Sequence, residues 1–249
     1  MSKRRLSKTK RNRQDSEQDY LLNTKFGMRH ITPITDNQRK FVEAYENGGN
    51  VLAIGSPGTG KTFLSLNLAL KDVMTKDELR EVIIFRSAVQ SRNQGFMPGN
   101  GPEKMSEFEA PYIDMVNELF DRGDAYQILK QKRMIRFMST SFIRGMTFDN
   151  AVLIADECQN MNYGELKTIL TRAGKNSRMI YCGDTKQDDL TPMSKNRNDI
   201  SGLKNFKMVL DTMEGYDFKT VKFTHDDIVR SELVKAFIIA EELLDLQAA

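Results

Sequence analysis

Val51-Leu-Ala-Ile-Gly55-Ser56-Pro57-Gly58-Thr59-Gly60-Lys61-Thr62 is the stretch on which the reading of this chain turns. Residues 51–54 are a short apolar run and predict a buried strand. Residues 55–62 fit G-x-x-x-x-G-K-[ST] at every fixed position. An amphipathic pattern over 61–74 then predicts a helix. Phosphates must approach bare backbone N–H groups, and side chains would block them, so glycines are needed there. Gly55, Ser56, Pro57, Gly58, Thr59 and Gly60 are therefore assigned to the cradle, with the helix N-terminus aimed at the anion. Lys61 supplies charge to the β- and γ-phosphates, and Thr62 a hydroxyl to Mg²⁺. The strand before and the helix after distinguish this loop from a glycine-rich turn with a surface lysine.

About 95 residues downstream stands Ala151-Val-Leu-Ile-Ala-Asp156-Glu157, an apolar strand ending in two carboxylates. Such a strand end can hold Mg²⁺ with its first acid, Asp156. The second, Glu157, can orient and deprotonate an attacking water. A third segment, Met179-Ile-Tyr-Cys-Gly183-Asp184-Thr-Lys-Gln187, is a strand ending in G-D-x-x-Q. It places Asp184 and Gln187 at the carboxyl edge of a sheet, where nucleotides bind. Asp184 is assigned to nucleotide binding and Gln187 to sensing the γ-phosphate.

Around these motifs the pattern alternates. A helix is expected after Thr35, whose spacing to Gln38 is that of a capping box, with Phe41, Val42 and Tyr45 as its apolar stripe. Strands are expected at 82–85, 134–138 and 178–182, and an edge strand at 218–223. Residues 86–105 read as a long loop. A helix over 107–121 is opened by the Ser106 and Glu109 capping pair, another spans 163–173, and a last one 227–246. Short apolar strands alternating with amphipathic helices imply an α/β fold, a mostly parallel sheet with helices on both faces. No linker divides the body, so one domain is expected over residues 30–249, preceded by a tail over 1–29.

That tail is basic. Residues 1–13 hold seven Lys or Arg and no acid, and without them the net charge falls from +3 to −4. It reads as a disordered segment that either holds a phosphate backbone by charge or is simply solvated. No apolar run approaches the roughly 20 residues a membrane span needs, so no membrane partner is expected. No apolar segment follows the charged N-terminus, so no secretory signal is expected either. Cys158 and Cys182 are too few and too far apart for a disulfide framework, and read as reduced thiols of a cytoplasmic protein. His30 and His225 are single and distant, which argues against a histidine metal site.

In order, the three motifs resemble those of superfamily 1 helicases, and more specifically the PhoH-like ATPases. An L-x-P-x-x-x-N-Q run, a G-P-x-G-T-G-K-T loop, a D-E-x-Q-N acid pair and a G-D-x-x-Q strand correspond to residues 31–38, 55–62, 156–160 and 183–187, with Ile31 for the Leu and Ser56-Pro57 for the Pro-x. Further matches are Gly95-Phe96-Met97-Pro98-Gly99, Phe142-Ile-Arg144-Gly145, Leu170-Thr-Arg172-Ala-Gly174, Ser201-Gly202-Leu203 and Asp227-Ile-Val-Arg230. Further departures from the family pattern are that Ser87 follows Arg86 where Pro is usual, Cys158 stands in place of Ala, and Ser231-Glu232 replace His-Pro. The resemblance implies a RecA-like P-loop NTPase domain that binds and hydrolyses ATP with Mg²⁺, tied to RNA metabolism. It also implies that Gln38 reads adenine.

Some 220 residues make one RecA-like domain, whereas a helicase closes nucleic acid between two. An arginine finger would then come from a neighbouring subunit, and a homo-oligomeric ring, favoured as a hexamer, is expected. Arg172 and Arg230 are the candidate fingers. Arg86, Arg92, Phe96 and Lys104, with Lys186, Lys195 and Arg197, combine charge with an aromatic and suit single-stranded RNA or DNA. Two further readings remain open: an ATP-gated RNA-binding module with negligible turnover without a partner, and a kinase.

Overall fold

The computed structural model describes residues 26–87, 101–184, 202–215 and 218–248. In chain order the elements are α1 (Asp36–Glu46), β1 (Asn50–Gly55), α2 (Lys61–Thr75), β2 (Glu81–Arg86), α3 (Gly101–Leu119), α4 (Ala125–Gln131) and β3 (Ile135–Ser139). They continue with β4 (Ala151–Ala155), α5 (Tyr163–Leu170), β5 (Arg178–Gly183), α6 (Leu203–Leu210), β6 (Phe218–Phe223) and α7 (Glu232–Ala248). The six strands form one sheet in the order β3-β2-β4-β5-β1-β6. Every pairing is parallel.

Strand alternation explains why the strands read as unbroken apolar runs. Val51, Ala53, Val82, Ile84, Val152 and Ile154 face one core, together with residues of α1, α2, α3 and α4. Leu52, Ile54, Ile83, Phe85, Leu153 and Ala155 face the other, together with residues of α5 and α6. Both faces are covered, so the polar residues of β1 and β2, Asn50, Glu81 and Arg86, stand only at strand ends. The result is the expected α/β domain with helices on both faces. β6 is an edge strand, as expected, paired only with β1; β3 forms the other edge. No helix among the described residues is long and apolar enough to cross a membrane.

Several expectations need correction. α3 begins at Gly101, so Ser106 and Glu109 lie inside the helix and do not open it, and residues 101–105 are not loop. Glu109 instead accepts from Tyr126 at 2.5 Å and Lys130 at 2.6 Å, joining α3 to α4. α4 itself is only 7 residues long, too short for a periodic pattern to announce it. α5 stops at Leu170, short of 173. The last helix starts at Glu232: the 3-10 turn His225–Asp227 ends at the expected start, and residues 228–231 after it are not helical. Thr35 does cap α1, accepting from the Gln38 backbone N–H at 3.2 Å. The reciprocal bond runs elsewhere: Gln38 Oε1 accepts from the Ile34 N–H at 2.9 Å.

Candidate nucleotide site

β1, β4 and β5 end on the same edge of the sheet, and the three motifs meet there. Gly55 ends β1 with φ 135°, and a Cβ on it would stand 2.0 Å from the Phe223 carbonyl oxygen of β6. Any other residue would push β6 away, so the close approach of the edge strand demands glycine. Gly60 enters α2 with φ 82°, the left-handed region, and serves as its N-cap. Within the loop Lys61 Nζ donates to Gly55 O at 3.0 Å, Ser56 O at 2.7 Å and Thr59 Oγ1 at 3.3 Å. Burial lowers the Lys61 pKa, and the carboxylates of Asp184, Asp156 and Glu157 act against that.

The acid pair enters the same cavity by a break in the strand. Along a continuing strand, successive side chains point to opposite faces. β4 stops at Ala155 and Glu157 takes φ 55°, so both Asp156 and Glu157 line one cavity of about 390 Å³. A left-handed non-glycine is uncommon and often marks a functional turn. Asp156 is buried and Oδ1 accepts from Thr62 Oγ1 at 2.8 Å. Burial, then the neighbouring Asp156, raise the Glu157 pKa, while Arg86, Gln159 and Lys61 oppose the shift. Asp184, at the end of β5, lines the cavity with them.

Thr62 and Asp156 also fit a divalent metal. A hydroxyl and a carboxylate oxygen side by side form the small, hard oxygen set that Mg²⁺ takes from proteins, the rest of its shell being water and phosphate. No cluster of three His, Cys, Asp or Glu able to hold a metal occurs among the described residues. A self-contained protein cage is thus not what these residues offer.

The other assigned residues divide. Arg230 lines the cavity of its own chain, with its Cγ 3.0 Å from where a Cβ on Gly58 would sit. The adjoining Val229 N–H donates to Gly58 O at 3.0 Å, laying this segment over the loop. Arg172 lies at the opposite edge of the sheet. Its carbonyl accepts from the Phe148 N–H at 2.9 Å, ahead of the first residue of β4, and its Nη1 reaches Met146 O at 3.4 Å. Gln38 is buried and does not line the cavity. Its Nε2 donates to Thr59 O at 3.0 Å, so here its amide braces the loop. Gln187, residues 1–13, Arg92, Phe96, Lys186, Lys195 and Arg197 lie outside the described residues, as does the side chain of Lys104.

Gln159, Arg86 and Tyr112 line the cavity with polar side chains not assigned to this chemistry from sequence. Gln159 was visible only as a letter of the D-E-x-Q-N match. Its Nε2 donates to Glu157 Oε2 at 2.6 Å and its Oε1 accepts from the Asp184 N–H at 2.8 Å. Arg86, expected among the nucleic-acid contacts, lines the cavity and lies 5.3 Å over the Phe108 ring. Tyr112 gave no signal at all. Its hydroxyl donates to Asp156 Oδ2 at 2.8 Å from α3. Burial, reinforced by Asp156, pushes its pKa well above the usual phenol value, so it remains a donor.

Comparison with known proteins places the chain among relatives. The family described as PhoH-like protein matches residues 30–242. A PhoH-like protein of Synechocystis sp. is 34% identical over 209 residues, 84% of this chain and 61% of that protein. One from Bacillus subtilis is 32% identical over 207 residues, 83% of this chain and 62% of the relative. Protein PhoH of Escherichia coli is 32% identical over 212 residues, 82% of this chain and 57% of the relative. The chain thus spans about three fifths of the length of these relatives. Among solved structures, the SWI2/SNF2 ATPase core of Sulfolobus solfataricus in complex with dsDNA is similar at a TM-score of 0.42 and 13% identity. That likeness covers 80% of this chain and 46% of the other.

Proposed function

The chain belongs to the PhoH-like protein family, and we propose that it binds ATP with Mg²⁺ and hydrolyses it. One observation carries the proposal: a phosphate-binding loop, a hydroxyl–carboxylate pair and a second, separately held carboxylate share one cavity. Phosphates in the loop would take over the bonds that Lys61 Nζ makes to the loop's own oxygens. Thr62 and Asp156 would hold Mg²⁺, which supplies charge neutralisation between the β- and γ-phosphates. Glu157, restrained by Gln159, would receive the proton of the attacking water. The same residues suit general-base work, because burial holds the Glu157 carboxyl more basic than an exposed one. Gln187 would report on the γ-phosphate from the segment that follows Asp184.

We further propose that hydrolysis is linked to single-stranded RNA and to assembly as a homo-oligomer, with a hexameric ring as the favoured form. Support for assembly comes from α7. It begins two residues after Arg230 and exposes Leu233 (81%), Phe237 (66%) and Leu244 (66%), an apolar surface unusual for a helix facing water. The test is steady-state ATP hydrolysis with and without single-stranded RNA, at two protein concentrations and two salt concentrations. Specific activity should rise with RNA and with protein concentration, and the RNA effect should weaken with salt. Activity indifferent to all three variables contradicts the RNA-linked assembly. Bound ATP without turnover under any condition would favour the ATP-gated binding module.

A further inference from the structure

Asp156 is gripped from two sides by groups with different futures. Thr62 Oγ1, on Oδ1, is itself a candidate metal ligand, so its bond to the carboxylate is exchangeable when a cation arrives. Tyr112, on Oδ2, comes from α3 and lies 44 residues away in sequence. It is 1% exposed, and its ring lies against Phe137 with centroids 5.4 Å apart, so the core fixes where the hydroxyl points. A neutral phenol donor occupies one carboxylate oxygen without offering the cation a competing ligand. An aspartate held at one oxygen can no longer swing freely about its terminal torsion, and its other oxygen stays turned toward Thr62.

We propose that Tyr112 is a positioning residue that pre-orients Asp156 for the metal, and that the hydroxyl, not the ring, does this. The proposal rests on the cavity being a Mg²⁺–nucleotide site. Partners behind a metal ligand typically contribute 10- to 100-fold to metal affinity. Tyr126 provides a matched control, since it is buried in the same region and its hydroxyl bonds Glu109, away from the cavity.

MgCl₂ would be titrated at fixed concentration of a fluorescent ATP analogue against wild type, Tyr112→Phe and Tyr126→Phe, reading analogue binding and phosphate release separately, with thermal melting of each. In Tyr112→Phe, half-maximal binding should need about 10-fold more Mg²⁺, with affinity in excess EDTA unchanged. Tyr126→Phe should follow the wild-type Mg²⁺ curve whatever its melting temperature. A Tyr112→Phe curve superimposed on wild type overturns the proposal, as does an equal shift in Tyr126→Phe. If wild type binds the analogue with no dependence on Mg²⁺, the metal site fails and the proposal with it. If binding depends on Mg²⁺ but no phosphate is released, hydrolysis fails while the Tyr112 comparison still decides.

Discussion

At Glu157, backbone and side chain serve one end. The left-handed turn brings it beside Asp156, burial keeps its carboxyl basic, and Gln159 fixes which way it points. Gln159 also holds the Asp184 backbone, so one amide joins the ends of β4 and β5 across the cavity. Replacing Gln159 by Ala should lower kcat about 10-fold while leaving ATP affinity near wild type, since the amide orients the base and touches no phosphate in this account. Measured kcat and ATP dissociation constants separate the outcomes: a matching loss of affinity would mean that Gln159 supports the loop and not the glutamate. Lys61, Thr62, Asp156 and Glu157 were legible because each belongs to a contiguous motif. Tyr112 and the brace formed by Gln38 were not, because their partners lie 44 and 21 residues away and no local spacing encodes such contacts.

Between elements, one buried knot joins the last turns of α1 and α2 to the first residue of β5, at the edge of the sheet opposite the loop. Asp72 accepts from Tyr45 at 2.9 Å and pairs with Arg178 at 2.5 Å, and the guanidinium lies 3.6 Å from the centroid of the Tyr45 ring. Burial pushes the Tyr45 pKa far above the usual phenol value, so it stays a donor to Asp72. Removing Asp72 strands a nearly buried guanidinium, which costs about 3–5 kcal/mol where a buried pair is broken. Urea unfolding of Asp72→Ala should show that loss, and a loss under about 1 kcal/mol would show the knot to be dispensable. Strands were read well from sequence because burial on both faces leaves continuous apolar runs. Helix boundaries were read less well, and for identifiable reasons. Glu109 looked like a capping partner of Ser106, while its actual partners, Tyr126 and Lys130, belong to a helix of 7 residues that leaves no periodic trace.

For the whole molecule, the sheet order sets what one chain can supply. The carboxyl ends of β1, β4 and β5 deliver loop, acids and Asp184 to one cavity, and Arg230 reaches it from the same chain. Arg172 stands at the far edge of the sheet and can approach such a cavity only on a neighbouring copy. Mixing Lys61→Ala subunits with Arg172→Ala subunits should therefore restore part of the ATPase activity, whereas mixing Lys61→Ala with Arg230→Ala should restore none. No restoration in the first mixture contradicts an arginine shared between subunits. Turnover and ATP binding by wild type and Glu157→Gln, measured side by side, decide whether Glu157 is the base. Loss of turnover by about 100-fold or more with ATP still bound is the predicted result, in line with the removal of a general base. Hydrolysis undiminished in Glu157→Gln would show that Glu157 does not activate the water.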